Sequence, residues 1–386
     1  MKPRVFIAMA SKILGGPGKG LVQFFRNGGL ELSTPLCISY SGVDSAKTEF
    51  MRAIEAAGVR VVPLRQEYIL DPRLINQALN IVRTERCGLL QSHGYKSHAL
   101  CAALHWRTGL PWIAFVHGWT SENTKMRMYH CLEKTLVPFA TRVVAVSDSI
   151  SRRLAFVTGD KIRVIPNAVD PAEVEIGNSG RNARASLDIP PQALVAGVVG
   201  RFSPEKGQTY FLRALALARA HFPQLIGILV GDGLDRQALE AEVAALGLSG
   251  SIHFTGHVTD VAEFYRAMDL VVMPSLSEGM PNVALEAMLF GKALVATRVG
   301  GIPEVVLDAV TGLIVEPRDS DQLASAMCSL LESRALLESY GRAGRQRVLD
   351  EFNPALRTRR ILDLYQEVLE VRSATGMQAG SKEIQA

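Results

Sequence analysis

The sequence lacks the features that membrane-spanning, secreted and zinc-held folds require. No stretch approaches the roughly 20 consecutive apolar residues of a membrane-crossing helix. The five cysteines (Cys37, Cys87, Cys101, Cys131 and Cys328) are an odd number without a C-x-x-C pair, so neither a disulfide framework nor a zinc site is expected, and buried thiols are the simplest reading. Low-complexity tracts and short repeats are missing too. The N-terminal segment is basic and then apolar only from Val5 to Ala10, too short for the core of a secretion signal. That run reads as a first β-strand, and the chain is expected to be cytoplasmic.

What is present is the balance of a globular α/β protein. Of the 386 residues, 48% are hydrophobic and 21% charged, and the length suits two domains rather than one core. Charge is uneven: residues 1–180 hold 22 Lys and Arg against 14 Asp and Glu, leaving 20 against 24 in the rest. A basic N-terminal half could face an anionic membrane, as a peripheral contact on the inner face of the plasma membrane, or a phosphate-bearing acceptor. An ordinary solvated surface explains it equally well. No nucleic-acid partner is expected.

Short apolar runs at Val5–Ala10, Val59–Leu64, Gly88–Ser92, Trp112–His117 and Arg142–Ser147 alternate with helical stretches at Thr48–Ala57, Asp71–Thr84 and Ser97–Thr108. A second series of runs follows from Ala193, at 226–231, 251–256, 270–275 and 293–298. This β-α-β rhythm predicts two Rossmann-like doubly wound domains facing a cleft. The boundaries read as an N-terminal domain over 1–170, a linker over 171–191 containing a Gly-Asn-Ser-Gly cluster, and a C-terminal domain over 192–355. A helix over 356–372 returns to the N-terminal domain, and 373–386 reads as a disordered tail.

The chemistry concentrates where strands of the second series end, because ligands of such sheets bind there. Gly200-Arg201-Phe202-Ser203-Pro204-Glu205-Lys206-Gly207 follows its first strand. Arg201 and Lys206 can supply the positive charge that a departing nucleoside diphosphate needs, with no aspartate pair nearby to hold a metal. Further on, PSLSEGMPNVALEAMLFGK runs from Pro274 as strand end, loop and helix, with Pro281 near the helix start and Gly291 as its stop. Free backbone N–H groups at such a helix start suit an anion. Glu278 falls in the loop and Glu286 in the helix, where each can accept hydrogen bonds from sugar hydroxyls or stand as an ordinary surface carboxylate. Gly15-Gly16-Pro17-Gly18-Lys19-Gly20 fits neither a Walker A loop nor G-x-G-x-x-G.

GRFSPEKG and SEGMPNVALEA together resemble the signature of family-4 retaining glycosyltransferases of the GT-B fold (glycosyl transferases group 1). GDGLDR (231–236), FTGHVTDV (254–261), VGGIPEVV (299–306) and VIPNAVD (164–170) stand in that family's order. The resemblance implies that Arg201 and Lys206 bind the donor diphosphate and that Glu278 holds hydroxyls of the transferred sugar. It implies that backbone groups of Gly279, Met280, Pro281 and Asn282 approach sugar and phosphate, and that Glu286 binds the ribose. His257 and Val258 would read the base, Gly231 and Asn167 would line the donor site, and His117 in FVHGWT would face the donor sugar across the cleft. Gly15 and Gly16, with Lys19, would sit beside donor phosphate and acceptor, although Pro17 and Lys19 depart from the family pattern, as does Ala168 after Asn167.

The expected reaction is metal-independent, cofactor-free transfer from a nucleotide-diphosphate sugar, UDP favoured, to a saccharide or lipid-linked acceptor. Bacterial surface polysaccharide, lipopolysaccharide or glycolipid synthesis is the expected setting. No N-domain carboxylate stands in a motif-like position as a nucleophile, so front-face attack is preferred to double displacement. A nucleotide-sugar 2-epimerase, a phosphorylase or an inactive sugar-nucleotide-binding subunit shares the architecture. A dehydrogenase is disfavoured because Arg236 stands where GDGLDR would need its third glycine.

Overall fold

The computed structural model describes residues 2–41, 47–66, 71–119, 124–172, 174, 182–258 and 260–382. These form two compact units, one made of residues up to Asn167 together with the helix from Pro354, the other of residues 168–353. Two α/β domains, as the sequence leads one to expect, are thus present.

The first unit holds seven parallel strands: β1 Arg4–Met9, β2 Thr34–Ser41, β3 Val61–Arg65, β4 Leu89–His93, β5 Trp112–Val116, β6 Arg142–Ala145 and β7 Ile162–Val164, ordered β3-β2-β1-β4-β5-β6-β7. The second holds six: β8 Val195–Val199, β9 Ile226–Val230, β10 Ile252–Phe254, β11 Leu270–Met273, β12 Ala293–Thr297 and β13 Gly312–Val315, ordered β10-β9-β8-β11-β12-β13. Helices cover both faces, which is why central strands such as RVFIAM, after its first residue Arg4, and LVVM are apolar and almost entirely buried. In each sheet the winding reverses beside its first strand, between β1 and β4 and between β8 and β11. The loops leaving those strands must diverge there and open a crevice at the strand ends.

Three strands escape the sequence reading. β2 carries Pro35, β7 is only three residues long, and β13 follows a turn-rich stretch; each gains strand form from a parallel neighbour rather than from its own pattern. The helix expected from Asp71 begins at Arg73, because the Asp71 carboxylate accepts the Arg73 backbone N–H at 3.0 Å and Pro72 precedes it.

Part of the expected linker is an ordered element. Asn182 caps a short helix at Ala183–Ser186, and Arg184 there pairs with Asp269 at 2.9 Å and donates to the carbonyls of Ala267 and Ala193. The Gly-Asn-Ser-Gly cluster lies outside the described residues. The C-terminal helix runs from Pro354 to Lys382, past residue 373, where the sequence reading has a tail; Ala374, Met377, Gln378 and Ala379 are good helix formers. Its Ile361, Leu364, Tyr365 and Val368 share a core with Val5, Ile7, Phe24 and Phe115 of the first unit.

Candidate active site

In the second unit, the loops after β8 and β11 meet at the crevice. Lys206 ends a short turn at Pro204–Lys206, and its ammonium lies 2.7 Å from Glu278 Oε1. Ser275 Oγ donates to the same oxygen at 2.8 Å. The Glu278 side chain is 9% exposed, so two donors and partial burial fix it where a loop carboxylate would otherwise wander. The peptide N–H of Leu276 donates to Glu205 O at 2.8 Å, tying the two loops through the backbone.

Arg201 pairs with Glu205 at 2.6 Å while its own side chain is 54% exposed. Burial alone would raise Glu205, but hydrogen bonds from its backbone N–H, Ser203 and Arg201 outweigh that and hold it below the usual carboxylate range. The guanidinium is therefore steered by a carboxylate that stays ionised, with most of its surface open to solvent. No pattern in the sequence marks Glu205 or Ser275 as site residues, although Glu205 lies four residues from Arg201.

A third loop closes on Glu278 from behind. Gly300 has φ +53°, and a Cβ there would lie 1.8 Å from the Glu278 carbonyl oxygen. Only glycine permits that approach. Gly231, at the end of β9, donates its N–H to Gly256 O at 3.1 Å, which brings the turn carrying the exposed His257 and half-buried Val258 beside the β8 loop. The helix Asn282–Leu289 starts after Pro281 as the sequence predicts, with Met280 buried and Gly279 in the loop before it. Glu286 accepts the hydroxyl of fully buried Tyr265 at 3.0 Å, an anchor the sequence did not signal.

The first unit gathers its own candidates. Gly15 precedes the helix Gly16–Phe24, Pro17 occupies its first turn, and half-buried Lys19 donates its peptide N–H to Gly15 O at 2.9 Å. Asn167 follows β7 and is half-buried. His117 follows β5, and its Nε2 lies 2.9 Å from Nδ1 of buried His93. Burial, and then electrostatic interaction with Arg357 and His98, pushes the His117 imidazole down to about 3, so it is neutral at physiological pH.

A second buried network lies alongside. Glu133 is 3.1 Å from His98 Nε2 and accepts Trp119 Nε1–H at 3.0 Å. Burial would raise this carboxyl, but hydrogen bonds from His130, His98 and Trp119 prevail and bring it down to about 2. Isolated histidines and a mid-helix glutamate carry no local pattern, so sequence alone gives no sign of this grouping. Among the described residues, no three His, Cys, Asp or Glu gather as a metal site.

The pattern of the glycosyl transferases group 1 matches residues 180–347, and that of glycosyltransferase family 4 matches residues 36–173. The chain is 24% identical to an uncharacterized glycosyltransferase of Methanocaldococcus jannaschii, over 93% of this chain and 96% of that one. It is 26% identical to the UDP-Gal:alpha-D-GlcNAc-diphosphoundecaprenol alpha-1,3-galactosyltransferase of Escherichia coli, over 77% of this chain and 80% of that one. Anabaena HepE in complex with UDP superposes with a TM-score of 0.81 at 23% identity, covering 95% of this chain and 100% of that one; its complex with UDP-glucose gives 0.79. The chain belongs to the family-4 glycosyltransferases of the GT-B fold, enzymes that take a sugar from a nucleotide-sugar donor. No helix among the described residues is long and apolar enough to cross a membrane.

Proposed function

We propose that the enzyme transfers a sugar, with retention and without a metal, from a UDP-sugar to a hydroxyl of a saccharide or lipid-linked acceptor in bacterial surface polysaccharide or glycolipid synthesis. The observation that carries this reading is the Lys206–Glu278 pair where the loops of β8 and β11 meet. One ion pair joins a cation suited to the donor phosphates and a carboxylate suited to the sugar hydroxyls. Arg201, held by Glu205 yet open to solvent, adds a second cation for the leaving diphosphate. Backbone groups of Gly279, Met280, Pro281 and Asn282 approach sugar and phosphate, Glu286 takes the ribose, and His257 and Val258 the base. Gly231 and Asn167 line the donor site, and Gly15, Gly16 and Lys19 serve donor phosphate and acceptor.

In the step itself, the bond between the anomeric carbon and the phosphate oxygen breaks as the acceptor oxygen attacks from the same face. The acceptor's proton passes to the departing UDP, which leaves carrying the bonding electron pair. Stabilising that anion supplies most of the rate. His117 donates a hydrogen bond to the transferred sugar. The UDP and UDP-glucose complexes of HepE support the donor class, and the galactosyltransferase from Escherichia coli, named for its diphosphoundecaprenol acceptor, supports a lipid-linked acceptor.

Arg201→Ala and Lys206→Ala are each expected to lower kcat by about 10²-fold, the scale for losing one preorganised charge partner of a transition state. UDP affinity should fall less. Turnover assays with a UDP-sugar panel, with and without chelator, check this. Near-wild-type turnover in both variants, or inactivation by chelation, overturns the metal-independent reading, and an inverted anomeric configuration in the product overturns retention.

A further inference from the structure

Behind His117 stands a chain of three buried side chains that leads to the C-terminal helix. The Tyr365 hydroxyl donates to Gln91 Oε1. Gln91 Nε2 lies 2.8 Å from His93 Nε2, and His93 Nδ1 lies 2.9 Å from His117 Nε2. Tyr365 and Gln91 are each 1% exposed and His93 is 5% exposed. At the far end, His117 Nδ1 is buried and has no hydrogen-bond partner among the described residues. The two imidazole planes are inclined by only 18°, and an N···N contact of 2.9 Å is too short for a face-to-face stack, so the rings meet edge to edge.

Each link dictates the next. Burial raises the Tyr365 hydroxyl, which keeps its proton and must place it on an acceptor. That turns the amide oxygen of Gln91 toward Tyr365 and the NH2 toward His93. The opposite amide orientation leaves a buried hydroxyl proton unpaired, at a cost of about 1–3 kcal/mol. An NH2 group only donates, so His93 Nε2 accepts and the single proton of this neutral ring sits on Nδ1. Burial first, and then electrostatic interaction with His117, Arg357 and His98, holds the His93 imidazole well below its usual range, so the ring is neutral. His93 Nδ1–H therefore donates to His117 Nε2, and the proton of His117 is left on Nδ1.

We infer that Tyr365, Gln91 and His93 are positioning residues that lock His117 as its Nδ1–H tautomer, so that Nδ1 offers a fixed hydrogen-bond donor to a hydroxyl of the transferred sugar. This rests on the reading that His117 serves that sugar. Free imidazole side chains favour the proton on Nε2, so the chain imposes the less populated form. A hydroxyl is both donor and acceptor, and a fixed N–H dictates which role it plays. The donor is set before the substrate arrives, and no reorganisation is needed during the reaction.

The test is nitrogen NMR of the full chain with labelled histidine, the His117 signals being assigned by their loss in His117→Gln. At neutral pH, His117 Nε2 is expected at a pyridine-like shift and Nδ1 at a pyrrole-like one. In His93→Phe, which keeps an aromatic ring beside Phe115, the assignment should reverse toward Nε2–H. Tyr365→Phe frees the Gln91 amide to turn and should give a mixture of both forms. Wild-type His117 protonated on Nε2 overturns the inference, as does an unchanged Nδ1–H signal in both variants. Should neither variant fold, the wild-type spectrum alone decides. Full activity in His117→Ala would overturn the sugar-contact reading while leaving the tautomer result standing, so the two failures are distinguishable.

Discussion

Glu278 and Glu286 lie in one segment, yet the structure anchors them differently. Glu278 is a loop carboxylate clamped by Lys206 at 2.7 Å and Ser275 at 2.8 Å, while Glu286 is a helix carboxylate held by Tyr265 at 3.0 Å. Glu278→Gln keeps an acceptor for Ser275 and removes the charge facing Lys206. It is expected to depress sugar transfer while free UDP still binds. Glu286→Gln should instead weaken free UDP by about 1.5–3 kcal/mol, the worth of a hydrogen bond to a charged group, or roughly 10- to 150-fold in Kd. Calorimetric titration of both variants with UDP separates these outcomes. Equal weakening of UDP by both would end the division of labour between the two carboxylates.

At the scale of elements, the site depends on loops pressed together at strand ends, and backbone approach sets the tolerance. Gly300→Ala brings a Cβ against the Glu278 carbonyl, where the backbone itself must shift. Gly247 makes a matched control, because its φ is +68° but a Cβ there meets nothing within 4 Å. Gly247→Ala should cost only the left-handed strain of about 1 kcal/mol, read as a small fall in Tm, with kcat unchanged. Gly300→Ala should lower Tm further and reduce kcat, since it displaces the peptide that carries Glu278. Equal effects on kcat would show that the third loop does not position Glu278.

The placement of site loops at strand ends also explains what the sequence revealed. The strand ends carrying Arg201, Lys206 and Glu278 were legible because a buried parallel strand is a continuous apolar run and its loop begins where that run stops. The helix Asn282–Leu289 was legible from Pro281 and Gly291. Strands β2 and β7 were not, because one carries a proline and the other is too short to show a pattern. The partners that orient the site, namely Ser275, Tyr265, Gln91 and His93, are single polar residues within apolar or unpatterned stretches. Their meaning comes only from what folds against them.

For the whole molecule, the order of the chain and the composition of its units differ, and this has a measurable consequence. The first unit is built from residues before Asn167 and from the helix beginning at Pro354, with the complete second unit between them in sequence. Arg357 of that helix is buried and donates to Gly20 O at 3.0 Å, and Leu364 is 3% exposed within the core that contains Val5 and Phe24. Removing a buried leucine side chain typically costs 2–5 kcal/mol. Leu364→Ala should therefore lower the stability of the first unit by about 3 kcal/mol. Leu364 is a core residue and not one of those proposed to hold the donor, so UDP affinity should stay at the wild-type value below the melting transition. Calorimetric melting with and without UDP reads both quantities. Loss of UDP affinity in folded Leu364→Ala, in step with its lost stability, would show that nucleotide binding depends on the packing of this helix and not only on the residues proposed to hold the donor.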